Sequence, residues 1–151
     1  MTCILIVDDD TNNQRILSFT LRKSGYTVRV ASDGVEGLAS LAESFGEGSS
    51  SPCDLVIIDL AMPRMDGLTM LTRLRALPAS RSIPVIMLTA SGDDQMREAV
   101  ESVGISAFLT KPSSSRTLLQ LIRQFIGEAN ASSPSESDPR TADSGQRTAP
   151  Q

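Results

Sequence analysis

Five short hydrophobic segments recur along the chain, and most are followed by a segment in which apolar residues return every three or four positions. Several of the apolar segments are unbroken runs of Val, Ile and Leu, such as ILIV, LVII and VIML. Unbroken runs are typical of strands that are covered on both faces, as in a parallel sheet between two layers of helices. The pattern predicts strands at residues 3–8, 27–31, 54–59, 84–89 and 107–110.

The segments between the strands predict helices. Thr11 and Asp33 are each followed three residues later by Gln or Glu, which is the spacing of a capping box at a helix start. Gly25 and Gly104 lie where the first and fourth helices should end. Five strand-then-helix units joined by right-handed crossovers predict a doubly wound α/β fold.

Acidic residues, a threonine and a lysine stand where four of the predicted strands end. They are Asp8, Asp9 and Asp10 after the first strand, Asp59 after the third, Thr89 after the fourth and Lys111 after the fifth. Because the carboxyl ends of parallel strands meet at one edge of a sheet, we expect these side chains to share a crevice. One acid would suit the positive end of a helix dipole, but three in a row repel one another, and a hard cation relieves that repulsion. The set predicts a site for a divalent cation and a phosphoryl group.

Composition excludes several kinds of chemistry. Histidine is absent, which excludes Ser-His-Asp and Cys-His triads, His-ligated zinc and a role as a histidine phosphodonor. The net charge of −4 leaves no basic face, so we expect no direct nucleic-acid partner. No apolar stretch approaches the roughly 20 residues of a membrane span, and the start of the chain lacks the layout of a signal peptide. We therefore expect a cytoplasmic protein without membrane association.

The chain has two cysteines, each about six residues before an acidic strand end. If the first and third strands are parallel neighbours, Cys3 and Cys53 could lie side by side. In a reducing cytosol, we interpret them as two small buried apolar residues.

The length of 151 residues is that of one domain. Residues 44–52 are rich in Gly and Ser and predict an exposed loop before the third strand. Residues 129–151 contain Ser, Pro and charged residues but no aliphatic residue larger than alanine, which predicts a disordered tail. The expected organisation is one folded domain at residues 1–128 and a Ser/Pro-rich tail at 129–151.

Residues 1–127 resemble the receiver domain of two-component response regulators, of the chemotaxis-regulator-like single-domain type. The matching segments, in order, are ILIVDDD, VIIDLAMPRMDG, VIMLTA and GISAFLTKP. The resemblance implies a flavodoxin-like, five-stranded parallel sheet of order 2-1-3-4-5, flanked by five helices.

The resemblance also implies a role for each residue at the strand ends. Asp59 would accept a phosphoryl group from a sensor histidine kinase or a histidine phosphotransfer protein. Asp9 and Asp59 would ligate Mg²⁺ directly, Asp8 would act through water, and the backbone carbonyl of Ala61 would supply another oxygen. Thr89 and Lys111 would contact the phosphoryl group, and Phe108 would be the aromatic switch residue.

The resulting interpretation is a single-domain response regulator, a phosphoacceptor signalling protein that catalyses its own phosphorylation and dephosphorylation and is not an enzyme acting on other molecules. Its output would be a contact with a downstream protein through the fourth helix, fifth strand and fifth helix. The alternative is a phosphorelay shuttle that passes the phosphoryl group on to a His of a phosphotransfer protein.

Two other classes of protein fit less well. A phosphatase of the haloacid dehalogenase type needs a second Asp two residues after its nucleophile, where this chain has Ala61. A flavodoxin-like cofactor-binding module needs a Gly- or hydroxyl-rich loop after the first strand, where the three acids would repel phosphate.

Overall fold

Strands and helices alternate along the described part of the chain. The computed structural model describes residues 2–46, 52–60, 62, 65–89, 94–110 and 114–126. The strands are β1 Cys3–Val7, β2 Thr27–Ala31, β3 Cys53–Asp59, β4 Val85–Thr89 and β5 Ala107–Thr110. The helices are α1 Thr11–Lys23, α2 Gly34–Ser44, α3 Gly67–Ala76, α4 Asp94–Val103 and α5 Ser115–Ile126, with a 3₁₀ turn at Pro78–Ser80. Each predicted strand is found, with its ends displaced by one residue at most.

All five strands are parallel and lie in the order β2-β1-β3-β4-β5. The predicted flavodoxin-like fold, with five helices among the described residues, is confirmed. The strand order reverses between β1 and β3, because the chain leaves β1 in one direction to form β2 and later returns to its other side. Above that point the connections diverge and leave a crevice at the carboxyl ends of the strands.

The helices cover both faces of the sheet, which explains the unbroken apolar runs. One layer of core contains Leu5 and Val7 of β1 together with buried side chains of α2, α3 and α4. The other contains Ile4 and Ile6 with buried side chains of α1 and α5. Since successive side chains of a strand point to opposite faces, Ile4 to Val7 of β1 pack alternately into the two layers, and none of them can be polar without cost.

The helix boundaries follow local signals. Asp33 caps α2, its Oδ1 accepting from the backbone N–H of Glu36 at 2.9 Å, while the Glu36 carboxylate accepts from the N–H of Ser32 at 3.0 Å. Gly25 and Gly104 follow α1 and α4 with φ angles of 97° and 119°, a conformation that favours glycine. The predicted stops of these two helices are confirmed.

One boundary of the predicted 44–52 loop is wrong by a residue, because Ser44 belongs to α2. Its buried hydroxyl donates to the carbonyl of Leu41 at 2.9 Å and accepts from the N–H of Cys53 at 3.3 Å, which ties the end of α2 to the start of β3. Residues 47–51, Ala61, Lys111 and the expected tail lie outside the described residues.

Candidate functional site

Three carboxylates meet at the carboxyl edge of the sheet. One oxygen each of Asp8, Asp9 and Asp59 lies within 4.8 Å of the others. Asp59 is the last residue of β3, and Asp8 directly follows β1, whose Val7 pairs with Ile58. The two strands are adjacent and end together, so the sheet itself sets the distance between their acids. Asp8 and Asp59 are buried, at 1% and 7% exposure, whereas Asp9 is exposed to solvent.

The third acid of the run has a different role. Asp10 is the N-cap of α1, and its Oδ1 accepts from the N–H of Asn12 at 2.9 Å and of Asn13 at 3.4 Å. The capping box predicted at Thr11 is therefore wrong by one position, because Asp10 satisfies the free N–H groups and Thr11 is already helical. Of the three acids, two face the crevice and one starts the helix.

Hydrogen bonds fix the backbone around Asp8. Its N–H donates to the carbonyl of Ala31 on β2 at 3.0 Å, and its Oδ1 accepts from the N–H of Asp10 at 2.9 Å. The side-chain amide of Gln14 donates to the carbonyl of Asp8 at 2.5 Å and to the hydroxyl of Ser32 at 3.2 Å. These contacts join the ends of β1 and β2 to the first turn of α1, so the Asp8 backbone is held from three sides.

Asp59 is supported by the start of α3. Beyond β3, the N–H of Leu60 donates to the carbonyl of Leu88 at 2.9 Å, and the carbonyl of Leu60 accepts from the N–H of Gly67 at 2.8 Å. A Cβ on Gly67 would lie 2.8 Å from the carbonyl oxygen of Asp59, closer than real Cβ atoms approach. The sequence indicates that the segment ending at Gly67 keeps Asp59 on top of the sheet, but the close approach of Gly67 to the Asp59 carbonyl was not predicted; its signal is a glycine directly after Asp66, the N-cap of α3.

Thr89 and Phe108 lie on the two strands beyond Asp59. Thr89 is the last residue of β4 and is 2% exposed. Phe108 is the second residue of β5, pairs with Met87 and packs on the core beneath α2, α3 and α4. Because side chains alternate, Thr89 shares the face of Met87, so Thr89 and Phe108 are diagonal neighbours on one face.

The carboxylate cluster fits a hard divalent cation. Mg²⁺ prefers oxygen ligands, and three carboxylates within 4.8 Å of one another offer them together with the negative charge that attracts it. Without a cation, the two buried acids repel each other in surroundings that screen poorly. The donor set contains neither sulfur nor nitrogen, which disfavours the softer transition metals.

The parallel sheet of order 2-1-3-4-5 with acids at its carboxyl edge defines a protein of the flavodoxin-like α/β class. Residues 4–123 match the family model of the response regulator receiver domain, and the chain belongs to that family. Receiver domains are signalling proteins of two-component systems and bind Mg²⁺ at an acidic pocket.

Among curated relatives, an uncharacterised 14.6 kDa protein of Leptolyngbya boryana is 35% identical over 122 residues, which is 81% of this chain and 88% of that protein. The chain spans only about half the length of other curated relatives it matches, at 49–51%.

Solved structures share the fold, and one of them contains a magnesium ion. The chemotaxis protein CheY4 of Vibrio cholerae is 29% identical with a TM-score of 0.75, over 83% of this chain and 99% of that chain. The receiver domain of the sensor histidine kinase PA1611 from Pseudomonas aeruginosa is 28% identical with a TM-score of 0.72, over 84% and 98%. That structure has a magnesium ion coordinated in its active site cleft. Among the described residues of the present chain, none of the helices has the length and apolar character needed to cross a bilayer.

Proposed function

We propose that the protein is a response regulator whose Asp59 accepts a phosphoryl group from a sensor histidine kinase or a histidine phosphotransfer protein. The observation that carries this proposal is the carboxylate cluster itself, in which Asp59 ends a strand, is 7% exposed and has two acids beside it. A carboxylate oxygen of Asp59 attacks phosphorus while the phosphorus–nitrogen bond of the phosphohistidine breaks. Hydrolysis of the resulting acyl phosphate returns the protein to its resting state.

Asp9 and Asp59 would hold Mg²⁺ directly, with Asp8 acting through water and the carbonyl of Ala61 as a further ligand. When bound, the ion neutralises the charge that develops on the phosphoryl oxygens. Thr89 would donate its hydroxyl proton to a phosphoryl oxygen, and the Lys111 ammonium would balance the charge of the same group. The hydrogen bonds around Asp8 and the contact of Gly67 with Asp59 keep these two acids in position. Positioning of the reacting groups supplies most of the rate acceleration in phosphoryl transfer.

The chemistry is tested with a small phosphodonor such as acetyl phosphate in the presence of Mg²⁺. Wild type should gain one phosphoryl group that is labile in base, detected by intact-protein mass spectrometry. Asp59→Asn should gain none, and chelation of Mg²⁺ should prevent the gain in wild type. Asp10→Asn is the matched control, because it removes a neighbouring charge, keeps a capping side chain and leaves the cluster complete. An Asp59→Asn variant that is still labelled would refute the proposed acceptor.

The output surface that we propose consists of α4, β5 and α5, with Phe108 as the switch residue. The guanidinium of Arg97 on α4 lies over the Phe108 ring, with Cζ at 5.1 Å from the ring centroid, and its Nε is 3.2 Å from Oε2 of Glu101. A phosphoryl group adds about two negative charges to the pocket and draws the Thr89 hydroxyl towards it. Phe108 then moves into the space that Thr89 leaves and loses its contact with Arg97. This movement changes the surface of α4 by shifting an existing equilibrium between two conformations.

This route is tested by nuclear magnetic resonance before and after phosphorylation. We expect resonances of Phe108 and of α4 to shift in wild type, and Thr89→Ala to accept phosphate without those shifts. Thr110→Ala is the matched control, because Thr110 is the exposed register partner of Thr89 on β5. Shifts confined to the surroundings of Asp59 would contradict the route.

The remaining parts of the proposal concern partners and organisation. We infer a downstream protein partner, no direct nucleic-acid or membrane partner, a cytoplasmic location, a receiver domain at 1–128 and a disordered tail at 129–151. The phosphorelay shuttle is the alternative function. It predicts that the phosphorylated protein loses its label rapidly when mixed with a histidine phosphotransfer protein, whereas an output regulator keeps it.

A further inference from the structure

The two cysteines lie opposite each other on adjacent strands, at the end of the sheet away from the carboxylate cluster. Cys3 is the first residue of β1, Cys53 is the first residue of β3, and the two are register partners. Both are free thiols, at 0% and 4% exposure. The residues before them, Thr2 and Pro52, are half-buried and exposed, so the pair lies one residue below the surface.

A β-bulge turns both thiols to the same face of the sheet. The ladder passes from Cys3↔Cys53 to Ile4↔Leu55, which leaves Asp54 without a residue opposite. In a regular strand, Cys53 would share the face of Leu55. The extra residue instead turns Cys53 into the core on the side of α2 and α3, which is the side that Cys3 faces by alternation. The Asp54 carboxylate stabilises the bulge by accepting from the N–H of Cys3 at 2.8 Å.

The surroundings make the two thiols unequal. A hydrogen bond with the Cys53 thiol, together with the nearby Arg29 guanidinium, lowers the pKa of Cys3 to about 7, against the opposing effects of burial and of the Asp54 carboxylate. The same hydrogen bond and burial raise the pKa of Cys53. Thiolates rather than thiols are nucleophiles, so Cys3 is the better nucleophile of the two, while the Cys53 thiol donates to the carbonyl of Leu55 at 3.2 Å.

We propose that Cys3 and Cys53 form a redox-active pair that a peroxide converts into an intramolecular disulfide. The Cys3 thiolate attacks hydrogen peroxide, the O–O bond breaks, and the products are a Cys3 sulfenic acid and, after protonation, water. The Cys53 sulfur then attacks the Cys3 sulfur, the S–O bond breaks, and a second water leaves with the Cys53 proton. Two electrons pass from the two sulfurs to the peroxide, and a dithiol reductant reverses the process.

The disulfide would join the two strands that carry Asp8 and Asp59, at the end remote from those acids. It would close a loop of about fifty residues, so it should stabilise the folded state mainly by restricting the unfolded chain. Local opening at the start of β1 and β3 admits the peroxide, which is small and uncharged. This inference is independent of the proposed phosphoryl chemistry.

The test treats the native, full-length protein with hydrogen peroxide in the absence of reductant, then denatures it in an alkylating reagent. We expect a monomer that has lost two hydrogens, takes up no alkyl group and yields a peptide linking Cys3 to Cys53. Its melting temperature should rise, and dithiothreitol should restore both free thiols and the original value.

Two single variants test the order of the steps. Cys53→Ser should stop at the Cys3 sulfenic acid, which dimedone traps, because no second thiol is present to displace water. Cys3→Ser should leave Cys53 much less modified over the same time, since burial by itself raises the pKa of the Cys53 thiol. The proposal is overturned if native wild type keeps two alkylatable thiols, if the link forms only between two chains, or if it forms only in denaturant. The wild-type result stands even if a variant fails to fold.

Discussion

Replacing Asp8 by Asn removes one charge from the cluster with almost no change in shape. The amide oxygen of Asn can still accept the hydrogen bond that the N–H of Asp10 donates to Oδ1 at 2.9 Å. At their outer limit of 4.8 Å, the Asp8 and Asp59 carboxylates repel by about 3.5 kcal/mol at an effective dielectric constant of about 20, and by about 0.9 kcal/mol in bulk water. Without a divalent cation, we therefore expect Asp8→Asn to raise the free energy of unfolding by about 1–3 kcal/mol.

Magnesium should change the order of stability. An ion that binds only the folded state adds about 2.7 kcal/mol to the free energy of unfolding at roughly 100 times its dissociation constant. Wild type should gain this stabilisation, and Asp8→Asn should gain less because its site has lost charge and a carboxylate. The difference between the two proteins should therefore shrink, and then reverse, as the Mg²⁺ concentration rises.

The assay is urea unfolding followed by far-ultraviolet circular dichroism, in EDTA and at a series of Mg²⁺ concentrations, with linear extrapolation to water. Asp10→Asn is the control, because it removes the adjacent charge, keeps a capping side chain and should gain as much from Mg²⁺ as wild type. An Asp8→Asn protein that is less stable than wild type in EDTA would refute the reasoning about repulsion. An equal gain from Mg²⁺ in both proteins would refute the assignment of Asp8 to the metal site.

Three further substitutions test how the site and the rest of the fold are supported. Gly67→Ala should lower the free energy of unfolding by about 1–3 kcal/mol and slow phosphorylation of Asp59, because the new Cβ would lie 2.8 Å from the Asp59 carbonyl oxygen. The control in both assays is Gly46→Ala, where the atom nearest to the new Cβ would be 3.4 Å away. Asp10→Ala should cost about 1 kcal/mol through loss of the α1 cap, and Asp10→Ser should restore it in the same urea titrations. Arg75→Met should cost about 1.5–3 kcal/mol in those titrations, because the guanidinium donates to backbone carbonyls before β4 and β5 at 2.6–3.0 Å; unchanged stability would show that water replaces these bonds.

The strands and the edge at which they end could be predicted from the sequence. The run of apolar residues before Asp59 has to be covered on both faces, and its last residue has to reach the carboxyl edge if the sheet is parallel. Both statements follow from the geometry of one strand. The same reasoning correctly placed the ends of α1 and α4 at Gly25 and Gly104, because a positive φ is a local property of the backbone.

Other features depended on neighbours that are distant in sequence. Three consecutive acids look alike along the chain, and the packing of α1 decides that Asp10 caps the helix while Asp8 and Asp9 face Asp59. The sequence indicated that Cys3 and Cys53 could be neighbours. A bulge at Asp54, held by a hydrogen bond across strands, decides that both thiols point to one face.

The sequence by itself thus determined the alternation of strands and helices and the residues that stand at the strand ends, since periodicity, capping and strand termination are encoded within a few residues. Only the tertiary structure decided which of those residues meet, which thiols share a face and which glycine lies against Asp59. These relations arise from the register between strands and from the docking of helices on the sheet. Register and docking are set by contacts across the whole fold, so a local pattern does not contain them.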